Sequence, residues 1–149
     1  MIPSRSEIIK EVSNELNRRE ERIRNSLNEL QNSLTKETKS TAGDKHETGR
    51  AMAHLEQEKL SEQLSTIKNL KAGIAQVKET SSEAVSFGSI VETKQQVFFI
   101  SIGLGLIKVN DIDIFCVSGS APLSRAVIDA KLGDEVSFNG RSYRIKSIQ

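Results

Sequence analysis

The chain has 149 residues, with 21 Lys and Arg against 20 Asp and Glu and a net charge of +1. That length holds one ordinary domain or two small ones. The balanced charge excludes a surface that grips nucleic acid unaided through its phosphates, and no apolar run approaches the roughly 18 residues that cross a bilayer. A single cysteine, Cys116, and two histidines exclude an internal disulfide and supply too few ligands for a Cys/His zinc cage. The N-terminus, Met1-Ile2-Pro3-Ser4, has no apolar signal core, which with the lone thiol predicts a reducing, cytoplasmic location.

Composition changes near residue 80. Residues 1–80 carry 14 Lys and Arg and 13 Asp and Glu and no aromatic, whereas residues 81–149 hold all six aromatics and six of the nine glycines. No proline occurs between Pro3 and Pro122. The first part is therefore expected to be long helix and the second a small β-rich globule.

Ser4-Arg5-Ser6-Glu7 is a helix-start signal, in which Ser4 caps the third backbone N–H and Glu7 reaches back. Ile9, Val12, Leu16, Ile23, Leu27, Leu30 and Leu34 follow at steps of three, four or seven, a narrow coiled-coil seam. Thr38 to Asp44 interrupts it with small turn-forming residues. A second seam runs through Leu55, Leu60, Leu64, Ile67, Leu70, Ile74 and Val77. Neither helix buries its stripe alone, so the spacing predicts an antiparallel two-helix coiled-coil hairpin over 1–80 with its tip at about 39–47. A single continuous helix in a two-chain coiled coil is the alternative, and Gly43 and Gly49 at the break favour the hairpin. At about 1.5 Å per residue each arm is roughly 48 Å long.

After a linker at Glu79-Thr80-Ser81-Ser82-Glu83, residues 81–149 are expected to form a separate domain. Ser86–Thr93, Val97–Ile102 and Ile112–Val117 read as strands, and Gly103-Leu104-Gly105-Leu106 as a loop between strands, too short for a phosphate loop. A short helix is expected from Ser120, a possible cap, to about Asp129. Glu135–Phe138, Asn139-Gly140 and Ser142–Ile148 form a hairpin. The fold class is α+β: the helical hairpin, then an antiparallel sheet with one short helix.

Two stretches resemble the bacterial Gre family of transcript-cleavage factors. Val117-Ser118-Gly119-Ser120-Ala121-Pro122-Leu123-Ser124-Arg125-Ala126-Val127-Ile128, continued by Lys131-Leu132-Gly133-Asp134-Glu135-Val136, is similar to a motif in that family's FKBP-like C-terminal domain. Ala121 stands where the family has Ser, and Asp129 where it has Gly. At the tip, Gly43-Asp44-Lys45-His46-Glu47 resembles the family's Gly-Asp-Leu-Ser-Glu. The layout covers the whole chain, the motifs about 25 residues.

The resemblance implies a transcription elongation factor that docks on RNA polymerase at its secondary channel. The hairpin would carry Asp44 and Glu47 to the active centre, where they would help hold the second Mg²⁺ and orient water for cleavage of backtracked RNA. A loosely held divalent cation requires added hard oxygen ligands, which is what two carboxylates on one helical face supply. On this reading the chain is an accessory factor with no cofactor of its own. It meets nucleic acid only through the elongation complex, touches no membrane and is a monomer, because the hairpin satisfies its own seam.

Other readings stay open. Asp44-x-x-Glu47 is also a capping box for the second helix, and the two roles are compatible. Lys45-His46 replace Leu-Ser, and Thr48-Gly49-Arg50 replace Asn-Ala-Glu, which makes the tip more basic; a channel-occupying regulator without cleavage activity fits that change. A coiled-coil adaptor needs only the layout. A prolyl isomerase shares the fold but wants a denser aromatic pocket than six aromatics without Trp provide. His46 and His54, eight residues apart, read as solvated helix residues, and Cys116 as a buried small hydrophobe. Arg18, Arg19, Arg22 and Arg24 read as a solvated face interleaved with Glu20 and Glu21.

Overall fold

The computed structural model describes the backbone of residues 2–38 and 44–149, with the side chains of all of these except 37, 38 and 44–46. Nine elements follow in order: α1 (Arg5–Thr38), α2 (Asp44–Ala75), β1 (Ile90–Thr93), β2 (Val97–Ser101), β3 (Gly105–Val109), β4 (Ile112–Ser118), α3 (Pro122–Val127), β5 (Glu135–Phe138) and β6 (Arg141–Ile148). The class is α+β, a two-helix hairpin preceding a six-stranded sheet and one short helix. Two compact units divide it: residues 15–69, and residues 1–14 with 70–149.

Helix α1 starts as its sequence dictates. The Glu7 N–H donates to Ser4 Oγ at 3.2 Å and the Ser4 N–H donates to Glu7 Oε2 at 2.8 Å, so two of the otherwise unpaired end groups are satisfied reciprocally. Ser4→Ala is expected to cost about 0.5–2 kcal/mol, read as a lowered midpoint in urea unfolding.

The unit of residues 15–69 is a helical hairpin. Leu16 and Leu34 are buried on α1 and Leu60 and Ile67 on α2, while Ile23, Leu27, Leu30 and Leu64 are half-buried. The helices run antiparallel: Arg19, Arg22 and Ile23 line a groove with Gln63, Thr66 and Ile67, and Leu34 lines another with Arg50 and His54. The expected seam needs one correction here. Leu55 is 66 % exposed, because five residues before Leu60 is about 140° around the helix. Half-buried Ala53 and Gln57 take the inward positions instead.

In the other unit, Ile8 and Val12 of α1 are fully buried, so the inward residue of the first turn is Ile8, and Ile9 is only half-buried. Arg5 ties the start of α1 to the end of the chain: its guanidinium donates to the Gln149 carbonyl at 3.4 Å and to the Lys78 carbonyl. The last turn of α2 carries Gly73, where a Cβ would stand 2.9 Å from the Ile102 methyl. Any larger residue there pushes α2 away from the 102–104 segment.

The strand order is β3-β4-β2-β1-β6-β5. All neighbouring pairs are antiparallel except β2 and β4, which run parallel with Phe98 opposite Phe115 and Phe99 opposite Cys116. The sheet is thus mainly antiparallel, as expected, and its one parallel pair arises because β3 sits at the edge and the chain returns through it to lay β4 beside β2. β3 also corrects the expected loop at 103–106. A two-residue turn, Asn110 (φ 49°) and Asp111 (φ 64°), joins it to β4, the left-handed geometry that closes a tight hairpin. Asn139 (φ 51°) and Gly140 (φ 74°) do the same between β5 and β6.

Strand β2 is buried at every position, as expected of an apolar run covered on both faces. One face presents Phe98 and Ile100 to a core of Val85, Val91, Val117, Val127, Tyr143, Ile145 and Ile148; the other presents Phe99, paired with Ile90 and Cys116.

Two further boundaries move for local reasons. The expected strand from Ser86 begins only at Ile90. Ser86 to Ser89 instead form a turn, closed by the Ser89 N–H to the Ser86 carbonyl at 3.0 Å with Gly88 at φ 94°. The helix expected over 120–129 begins at Pro122, whose fixed φ and missing N–H suit a first helical position. Ala121 is its N-cap, with no side-chain hydrogen bond. It ends at Val127, since Asp129 adopts φ 67° and turns its N–H to the Val85 carbonyl at 2.9 Å.

Candidate functional site: the hairpin tip and the clefts behind it

Helix α2 begins at Asp44, which places Asp44 and Glu47 together in its first turn and, three residues apart, on one face. Carboxylates there are favoured by the unpaired N–H groups at a helix start. Glu47 is exposed. The side chains of Asp44, Lys45 and His46 and the whole of 39–43 lie outside the described residues, and so does the capping geometry expected of Asp44.

The basic cluster of α1 is neutralised along its own helix. Glu15 accepts from Arg18 Nη2 at 2.8 Å and from Arg19 Nε at 3.0 Å, with Arg22 at 3.6 Å, and Arg24 meets Glu20 at 3.3 Å. The Arg18 hydrogen bond holds the Glu15 carboxyl below its ordinary value of 4.5, burial opposes that shift, and Arg19 adds to it. Such partly exposed pairs contribute less than about 1 kcal/mol each. Glu15, rather than Glu21, is the hub of this face.

Nearer the tip, Gln31, Leu34 and Thr35 of α1 and Arg50, His54 and Gln57 of α2 line a cleft of about 400 Å³. The Arg50 Nε is buried and has no hydrogen-bond partner among the described residues. Reading the sequence for ligand motifs missed this site. The available signal was positional: steps of four and three back from Ile67 through Leu64 and Leu60 lead to Gln57, Ala53 and Arg50, polar or small residues where the seam should be apolar.

The motif of residues 117–136 resolves into turn and packing positions. Ser124 is buried and donates its hydroxyl to the Ser118 carbonyl at 2.6 Å. Gly133 takes φ 88°, and Asp134 Oδ2 accepts the Lys131 N–H at 2.8 Å. Asp129, at the place of the Gre family's Gly, adopts the left-handed conformation that Gly and, less readily, Asp tolerate. Cys116 is buried, and burial pushes its thiol up to about 12. Among the described residues no group of three or more His, Cys, Asp or Glu side chains is placed to hold a metal ion, and no helix is long and apolar enough to cross a membrane.

No protein-family model matches the chain, and no curated protein matches it. Among solved structures it is similar to the GreA factor homolog 1 (Gfh1) protein of Thermus thermophilus, at 19 % identity over 91 % of this chain and 93 % of that one, with a TM-score of 0.37. It is similar also to another structure described as the transcription factor Gfh1, at 18 % identity over 91 % and 92 %, with a TM-score of 0.36. Thermus aquaticus Gfh1 gives 17 % identity over 87 % and 92 %, with a TM-score of 0.30.

Proposed function

We propose that this chain is a Gre-type transcription elongation factor. It binds RNA polymerase at the secondary channel and lends Asp44 and Glu47 to the polymerase's own active centre for cleavage of backtracked RNA. The observation that carries this reading is the position of the two carboxylates. They open the second helix of a hairpin, next to its connection, and the C-terminal globule bears the 117–136 motif that resembles the Gre family's docking domain.

Two carboxylates are too few to hold Mg²⁺ as a site of their own. They suit a shared metal whose remaining ligands come from the polymerase and its RNA. There the added oxygens would fix the ion that lowers the pKa of a bound water and stabilises the leaving oxygen. The chain's part is to bring and orient those oxygens; the cleavage chemistry belongs to the partner.

A second reading is a regulator that occupies the channel without stimulating cleavage. It is favoured by the basic residue types that replace uncharged or acidic ones around the tip: Lys45, His46 and Arg50. Stalled, backtracked elongation complexes incubated with the wild-type chain and with Asp44→Ala and Glu47→Ala decide between the two. Cleavage that falls at least about tenfold in each variant while polymerase binding is retained supports carboxylate delivery. Binding with no cleavage by the wild type supports the regulator, and failure to bind polymerase overturns both in favour of a coiled-coil adaptor.

A further inference from the structure

The cleft between the outer halves of α1 and α2 has the composition of an oxyanion site. Towards the base of the hairpin α2 turns Leu60, Leu64 and Ile67 inward. Towards the tip it turns Gln57, Ala53 and Arg50 inward, while Met52 and Leu55 are 67 % and 66 % exposed. An arrangement that sends the apolar side chains to solvent and a guanidinium to the seam weakens the hairpin. It leaves the Arg50 Nε buried without an acceptor among the described residues, a condition that folded proteins largely avoid.

The groups around Arg50 favour an anion. His54, one turn along the same helix, adds a second nitrogen side chain, Gln31 and Gln57 bring amide donors, and Leu34 closes the wall. The Thr35 hydroxyl donates to the Gln31 carbonyl at 3.0 Å, which engages that backbone oxygen. None of the described side chains that line the cleft is acidic. The volume, about 400 Å³, lies within the range of small-ligand sites. The arginine clusters elsewhere on α1 lack this property, because Glu15 and Glu20 already pair with them.

We propose that this cleft binds a phosphate-type oxyanion, with the Arg50 guanidinium as the charged fork and His54, Gln31 and Gln57 completing the donor set. Free orthophosphate, free diphosphate and the diphosphate of a nucleotide share this chemistry. The inference does not rest on the polymerase reading, and its test contains no polymerase.

The test is a titration of the full chain, isotopically labelled for NMR, with orthophosphate, pyrophosphate and ADP at constant ionic strength. Saturable shifts confined to residues around 31–35 and 50–57 are expected, and the tightest of the three ligands names the source. Arg50→Gln is expected to weaken binding about ten- to a hundredfold, the range for losing a hydrogen bond to a charged group. Arg50→Leu provides the control for folding: leucine restores an apolar seam residue, so its melting temperature is expected to equal or exceed the wild type while the shifts vanish. No saturable shift with any of the three anions overturns the site, and so does binding that survives undiminished in Arg50→Leu.

Discussion

Phe98→Ala is expected to destabilise the globular unit by about 3–5 kcal/mol, the range for emptying a buried phenylalanine site. Phe98 is 1 % exposed on β2, the strand buried at every position. Its neighbours across the sheet are Val91 and Phe115. The Tyr143 ring meets it edge-on, with centroids 5.6 Å apart and planes at 78°, an arrangement that adds about 0.5–1.5 kcal/mol beyond the area buried. Domains are stable by only about 5–15 kcal/mol, so the loss consumes a large share of the total. Tyr143 is the sole tyrosine of a chain without Trp, and its fluorescence in a urea titration reports the packing directly. Phe115→Ala is the comparison: Phe115 pairs with both Phe98 and Leu106 but is 39 % exposed. Its loss is expected to cost clearly less than that of Phe98. Equal costs would mean that the core is not centred on β2.

Cys116 carries the second large effect. The residue lies between Phe99 of β2 and Gly105 of β3 in the sheet register and is 1 % exposed. Burial raises its pKa from 9.0 to about 12, because an apolar site disfavours the thiolate. The thiolate is the reactive form. At pH 8 the native chain holds about one thiolate in ten thousand, against about one in ten once unfolded, a difference that follows from the shifted pKa. Labelling by an aromatic disulfide reagent is expected to be at least about a thousandfold slower in native buffer than in denaturant. The same shift links stability to alkali. The folded pKa is raised, so the contribution is fully present below pH 9 and is lost as pH rises from 9 towards 12, because only the unfolded chain ionises in that window. At about 1.4 kcal/mol per unit the loss approaches about 4 kcal/mol. Unfolding midpoints of the wild type and of Cys116→Ala, measured from pH 8 to 11, are expected to converge with alkali. Parallel curves would show that the thiol titrates normally in the folded state.

Much of the architecture was legible because local chemistry decides it. The reciprocal hydrogen bonds of Ser4 and Glu7 involve atoms three residues apart, and the Asn139-Gly140 turn needs only residues that tolerate positive φ. The two long helices follow from spacing and from the absence of aromatics and prolines. The place of Asp44 and Glu47 in the first turn of α2 was legible for the same reason: the break in the seam and the acidic pair after it lie within a few residues of one another. The Asn110-Asp111 turn is equally local, but Gly103 and Gly105 give the stretch before it the composition of a loop and hide β3.

What the chain's order of residues determined by itself is the set of helices, turns and apolar stripes, because each rests on contacts within a few residues. Which apolar residues face inward, which strand lies parallel to which, and whether a cation meets an acid were decided only by tertiary structure. Leu55, five residues before Leu60, lies off the stripe and is exposed, and the inward positions go to Ala53 and Gln57. β2 and β4 pair in parallel because β3 takes the edge, a choice that spans the whole sheet. Arg18 and Arg50 are both helix arginines; Glu15 pairs with the first, and the Nε of the second is buried in the seam without a hydrogen-bond partner among the described residues.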